Sequence, residues 1–171
     1  IRHLRQLGFN RLSLGVQDFN ADVQRAVHRV QPLKMVEECL GAARSAGFAS
    51  VNVDLIYGLP LQTRETFTQT IAEVVRLRPE RIALYAYAHL PQRFKPQRRI
   101  HAGDLPSTAS RLWMMAHARE ALAAAGYDYI GMDHFALPDD ALADRKSVVK
   151  RKSVDLGGRR IINKKHKINE Q

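Results

Sequence analysis

Short β-like runs alternate along this chain with amphipathic stretches of helix length, and few architectures accept that alternation. The runs at residues 11–16, 50–57 and 81–86 are rich in β-branched and aromatic side chains, and a shorter run follows at 127–130. Between them, helical stretches are predicted at about 21–28, 32–46, 64–77 and 107–125. Their ends carry the expected punctuation. Asn20, Thr63 and Ser107 stand at N-cap positions, Pro32 at a helix start, and Gly47 and Gly126 just past helix ends. Residues 1–7 read as the end of a helix closed by Gly8. The resulting order, β-α-β-α-β-α-β, has helices long enough to cross over between parallel strands. It predicts an α/β fold, and both a barrel and a doubly wound sheet satisfy it.

In either fold, functional groups gather at the C-terminal ends of the strands. The polar residues placed there are Gln17 and Asp18 after the first strand, Asp54 within the second, His89 after the third, and Asp133 and His134 after the fourth. An aspartate inside a run as apolar as 51–57 needs a partner, structural or functional. Arg93, Lys95, Arg98 and Arg99 form a basic loop that reads equally as solvated or as an attractor of carboxylates.

Composition closes off several classes. The one cysteine, Cys39, makes no intramolecular disulfide, so a secreted disulfide scaffold is excluded and a reducing cytoplasm is the default. One thiol also cannot hold an iron–sulfur cluster, so no metal ligand set is assigned in this chain. Beside Leu33, Val36, Leu40 and Ala43, Cys39 reads as a buried core thiol. No apolar run reaches the roughly 18 residues of a membrane span. The net charge of +10 invites a nucleic-acid reading. However, residues 144–171 hold ten Lys or Arg against three Asp or Glu, so the body of the chain is near neutral. That tail lacks aromatic interleaving, and no nucleic-acid partner is expected.

Five strings then occur in order: Leu14-Gly15-Val16-Gln17-Asp18-Phe19-Asn20, Asp54-Leu55-Ile56-Tyr57-Gly58-Leu59-Pro60, Tyr87-Ala88-His89-Leu90-Pro91, Pro96-Gln97-Arg98-Arg99-Ile100, and Tyr129-Ile130-Gly131-Met132-Asp133-His134-Phe135-Ala136. Together they resemble the oxygen-independent coproporphyrinogen III oxidases of the radical S-adenosylmethionine (SAM) superfamily, over residues 1 to about 143. The resemblance implies a partial (β/α) barrel of parallel strands with outer helices. It implies oxidative decarboxylation of two propionates of coproporphyrinogen III to vinyl groups in haem synthesis, through a 5′-deoxyadenosyl radical. SAM, a [4Fe–4S] cluster and an external electron donor and acceptor are implied with it. By the same resemblance, Gln17, Arg29, Asp54 and Ala88 match contacts to a second SAM; catalytic residues stay unassigned. The alternative is a related haem-chaperone-like protein, which shares the string at 54–60; the strings around His89 and His134 favour the oxidase.

Two departures stand beside the match. The family's cluster-binding CxxxCxxC loop has no counterpart here, so a chain beginning at Ile1 in mid-pattern reads as a piece of a longer protein, inactive alone. Residues 144–171 form a second segment, expected to be disordered or artefactual. Arg145-Lys146-Ser147-Val148 recurs there as Arg151-Lys152-Ser153-Val154, with poor periodicity.

Overall fold

The computed structural model describes residues 1–143; the expectations for 144–171 lie outside the described residues. In chain order the elements are α1 (Arg2–Gln6), β1 (Arg11–Gln17), α2 (Ala21–Ala26), α3 (Leu33–Ser45), β2 (Ser50–Tyr57), α4 (Arg64–Leu77), β3 (Arg81–Ala86), two 3₁₀ turns (Lys95–Arg99 and Ala102–Asp104), α5 (Thr108–Ala124), β4 (Asp128–Gly131) and β5 (His134–Ala136). The helix starts follow their caps. Asn20 accepts from the backbone of Asp22 and Val23, Thr63 forms a reciprocal box with Thr66, and Ser107 accepts from Ser110 N.

The five strands make one sheet in the order β1-β2-β3-β5-β4. β1, β2 and β3 are parallel, as predicted. The end of the sheet differs from the prediction. The fourth strand is not the parallel neighbour of β3: it turns back on itself, and β5 slips between, antiparallel to both. The turn uses positive φ at Gly131, Met132 and Asp133, the conformation a tight hairpin needs. What draws β5 inward is Phe135, almost fully buried beside Ile82. Three residues are too short a run to show a period in the sequence.

The alternation of β2 explains the two faces. Val51, Val53 and Leu55 are fully buried, and they join Ile82 and Leu84 of β3, Phe67, Ile71 and Val74 of α4, and Met114, Ala118 and Leu122 of α5 in one core. Each of the larger side chains contributes roughly 1.5–3 kcal/mol when fully buried. Asn52, Asp54 and Ile56 point the other way, onto the polar face that carries the site. Among the described residues, no helix is long and apolar enough to cross a membrane.

At the opposite, N-terminal end of the strands a buried ion pair fastens the last segment. Asp140 accepts from Ser50 Oγ at 2.7 Å, from Arg81 Nε at 2.7 Å and from Leu142 N at 2.7 Å. Burial raises the Asp140 pKa, but these donors outweigh it and hold the carboxyl below its ordinary range. Its contribution to stability is therefore present above the unfolded value of about 3.9 and is lost as pH falls through the lower folded value. Asp140→Ala is expected to cost about 3 kcal/mol in denaturant unfolding at neutral pH, because Arg81 is left buried without its carboxylate. The deficit should shrink on acidification below about pH 3.9.

Candidate functional site

Sequence and register together shape the C-terminal rim of the sheet. Between Gly15 and Gln17 the pairing of β1 with β2 shifts by one residue, a bulge that re-aims the strand end. Gln17 sits there with φ +70°. Its side chain enters a cavity of about 430 Å³, whose wall includes Arg29, Ile56, Tyr87, Gln97 and Arg99. Arg29 follows α2 and folds back over the strand, its Nε donating to Gly15 O at 2.9 Å. Of the four residues matched by resemblance, Gln17 and Arg29 are thus brought into one cavity.

Asp54 lies on the same face, opposite Gly15 in the β1–β2 register. It has the partner its setting demanded: Ser13 Oγ donates to it at 2.9 Å and Asn52 Nδ2 at 2.6 Å. Ala88 lies beyond Tyr87, exposed, and is not part of the cavity wall. Its carbonyl accepts from Gln97 Nε2 at 3.0 Å, while Gln97 Oε1 accepts from Leu90 N, so one glutamine fixes the loop leaving β3. Arg111 supports that strand exit from α5, donating to Tyr87 O at 2.7 Å. It packs so closely on Gly58 that a Cβ there would stand 2.8 Å from its Nε. Burial raises the Tyr87 phenol pKa, which keeps it neutral and able to donate.

Asp18, placed on the functional rim by sequence, is fully buried and faces the interior. Its carboxylate accepts from Asn20 N at 2.6 Å, Thr70 Oγ1 at 3.0 Å and Gln62 Nε2 at 2.6 Å. Gln62 Oε1 in turn accepts from Gly58 N and Leu59 N. Burial raises the Asp18 pKa above the ordinary range despite these donors. Its contribution is therefore greatest below pH about 3.9 and falls as pH rises through the raised value, opposite in sign to Asp140. Gln24, also buried, donates to Asp18 O and to Gln31 O, and so holds the loop that contains Arg29.

The remaining candidates divide. His89 Nδ1 lies 3.3 Å from Tyr87 Oη, and His134 Nδ1 contacts Met132 O at 2.6 Å, its ring meeting Tyr85 edge to face. Asp133 gives its carbonyl to Leu84 N. Of the basic loop, Arg99 reaches the cavity, Arg98 Nε donates to Pro91 O, and Arg93 and Lys95 are exposed. Cys39 is half-buried rather than sealed in the core, beside a smaller cavity of about 250 Å³ between α3 and β1.

Residues 1–74 match the family described as the Radical SAM superfamily. A curated oxygen-independent coproporphyrinogen III oxidase from Pseudomonas aeruginosa is 58% identical over 140 residues, which are 82% of this chain and 30% of that protein. The one from Escherichia coli is 50% identical over 151 residues, 87% of this chain and 33% of that protein. A solved structure described as coproporphyrinogen III oxidase from Escherichia coli, a radical SAM enzyme, superposes with a TM-score of 0.82 at 50% identity, covering 88% of this chain and 34% of that one. Over 82–88% of its own length, this chain is similar to oxygen-independent coproporphyrinogen III oxidases. It spans about a third of the length of these relatives. Its open α/β sheet is the corresponding part of the radical SAM fold. Likeness to radical SAM enzymes implies SAM and a [4Fe–4S] cluster. Convergent donors of Gln17 and Arg29 and the acceptor Asp54 suit the charged amino-acid end of the first. The second does not fit this chain: Cys39 is its one thiol, and among the described residues no three His, Cys, Asp or Glu side chains converge as a metal site.

Sequence reasoning missed Gln62, Gln24, Gln97 and Arg111, which act through others. Gln97 stands in one of the strings that carry the resemblance, but nothing local gives it or the other three a role. Gly15 did have a signal, since an isolated glycine in a strand pattern points to a bulge or a close approach. Gln62→Ala would leave a buried carboxylate oxygen and two backbone N–H groups unpaired. It is expected to cost about 2 kcal/mol in denaturant unfolding.

Proposed function

We propose that residues 1–143 are the part of an oxygen-independent coproporphyrinogen III oxidase that holds a second SAM at the open rim of its sheet. The observation that carries this reading is the meeting of Gln17 and Arg29 in one cavity, with Asp54 beside them on the same face. Arg29 presents a fork of donors to the SAM carboxylate. Asp54 accepts from its ammonium or hydroxyl groups, Gln17 adds an amide contact, and Ala88 offers backbone groups and room. Arg99, on the cavity wall, meets a propionate carboxylate of coproporphyrinogen III.

In the whole protein, each of two propionates loses a hydrogen atom, carbon dioxide and one electron, leaving a vinyl group and giving protoporphyrinogen IX. Bound SAM supplies the group that takes the hydrogen, and an external donor and acceptor carry the electrons. The relatives reported above bear the oxidase name, which favours this reading over the haem-chaperone alternative.

Calorimetric titration of the 171-residue chain with SAM is expected to show binding that Arg29→Ala and Asp54→Ala each weaken about tenfold, while both variants stay folded in thermal unfolding. Anaerobic incubation with iron and sulfide should give no stoichiometric [4Fe–4S] absorption. Equal binding by both variants would remove these residues from the site.

A further inference from the structure

We infer that Gly15 is a positioning residue, whose missing side chain lets Arg29 and Gln17 converge as one two-donor notch for a carboxylate. The inference rests on the reading of those two residues as SAM contacts. A Cβ built on Gly15 would lie 2.7 Å from Arg29 Nη2, 2.9 Å from Gln17 Nε2 and 3.4 Å from Arg29 Cζ. Both nitrogens therefore crowd the space above one bare Cα. The carbonyl of the same glycine receives Arg29 Nε at 2.9 Å. One residue thus anchors the guanidinium from its backbone and leaves clear the space beside its Cα that Arg29 Nη2 and Gln17 Nε2 both border.

Two neighbouring conformations serve the same end. Gln17 lies at φ +70° beyond the bulge, and His28, just before Arg29, lies at φ +53°. Left-handed backbone is uncommon for residues other than glycine, and it gathers at functional sites. Gly15 itself does not lie in the left-handed region, so its backbone accepts an alanine. The atoms that an alanine methyl would strike are the far ends of two flexible side chains. Arg29 also borders the smaller cavity near Cys39, which gives the guanidinium somewhere to go. Gly15→Ala should therefore disturb the notch and spare the fold, which separates positioning from a structural role.

The test uses the 171-residue chain in four forms: unaltered, Gly15→Ala, Arg29→Ala, and Gly41→Ala as a control whose Cβ meets nothing within 4 Å. The Arg29 Nε–H resonance reads the anchor without any ligand, thermal unfolding reads the fold, and SAM titration reads the notch. Gly15→Ala is expected to keep its melting temperature. Its Arg29 Nε–H should exchange with water about as fast as that of a solvated arginine, and its SAM affinity should fall about tenfold. Gly41→Ala should leave the Arg29 Nε–H exchange and the SAM affinity unchanged, and any change in its melting temperature should be upward, because alanine replaces glycine inside α3. A protected Arg29 Nε–H in Gly15→Ala overturns the inference. So does unfolding of that variant, because the struck atoms would then not be free to move. If Arg29→Ala leaves SAM affinity untouched while Gly15→Ala still frees the Nε–H, the positioning stands and the SAM reading falls.

Discussion

A buried carboxylate organises the rim. Asp18 has no access to water, yet its oxygens receive three donors from three parts of the chain: the start of α2, the middle of α4, and Gln62 in the turn after β2. Gln62 passes the constraint to Gly58 and Leu59, and Gln24 passes it to Gln31. The two loops that flank the cavity are therefore fixed to one another from below. An aspartate buried like this is costly unless satisfied. The raised pKa records that cost, and the short bonds around the carboxylate show how it is offset. Gln17 can project into the cavity because the next residue is held in this way.

The polar face above is built by strand alternation and not by a loop. Ser13, Asn52 and Asp54 share that face and bond to one another, with Nδ2 of Asn52 also donating to Ser13 Oγ at 2.9 Å. Behind them, the residues of opposite parity are sealed under α3, α4 and α5. Residues held on strands are placed with greater precision than residues on loops, so this part of the rim is fixed by the sheet itself. Ala88 and Arg99 lie in the segment after β3, which Gln97 ties to Ala88 O and Leu90 N.

Much of this was legible in the sequence because local chemistry decided it. Ser50–Tyr57, Arg64–Leu77 and Arg81–Ala86 lie where their residue types put them, since Thr63 caps, Gly58 turns and the β-branched runs alternate. The last strand pair was not legible: whether β5 lies inside or outside β4 is settled by the burial of Phe135 against Ile82, a contact between distant parts of the chain. Asp18 and Gln17 are adjacent in sequence and opposite in role, and only the bulge separates them. Polarity marks both as rim candidates, but only the register tells which one faces the cavity.

The central claim is that one face of this sheet, at one end, recognises SAM. Backbone amide chemical shifts recorded while SAM is titrated into the ¹⁵N-labelled chain test it most directly. The account predicts shifts at Gln17, Arg29, Asp54 and Ala88 and their neighbours, and none at Ser50, Arg81 or Asp140 at the far end of the strands. Shifts confined to that far end, or none anywhere at saturating SAM, would contradict it.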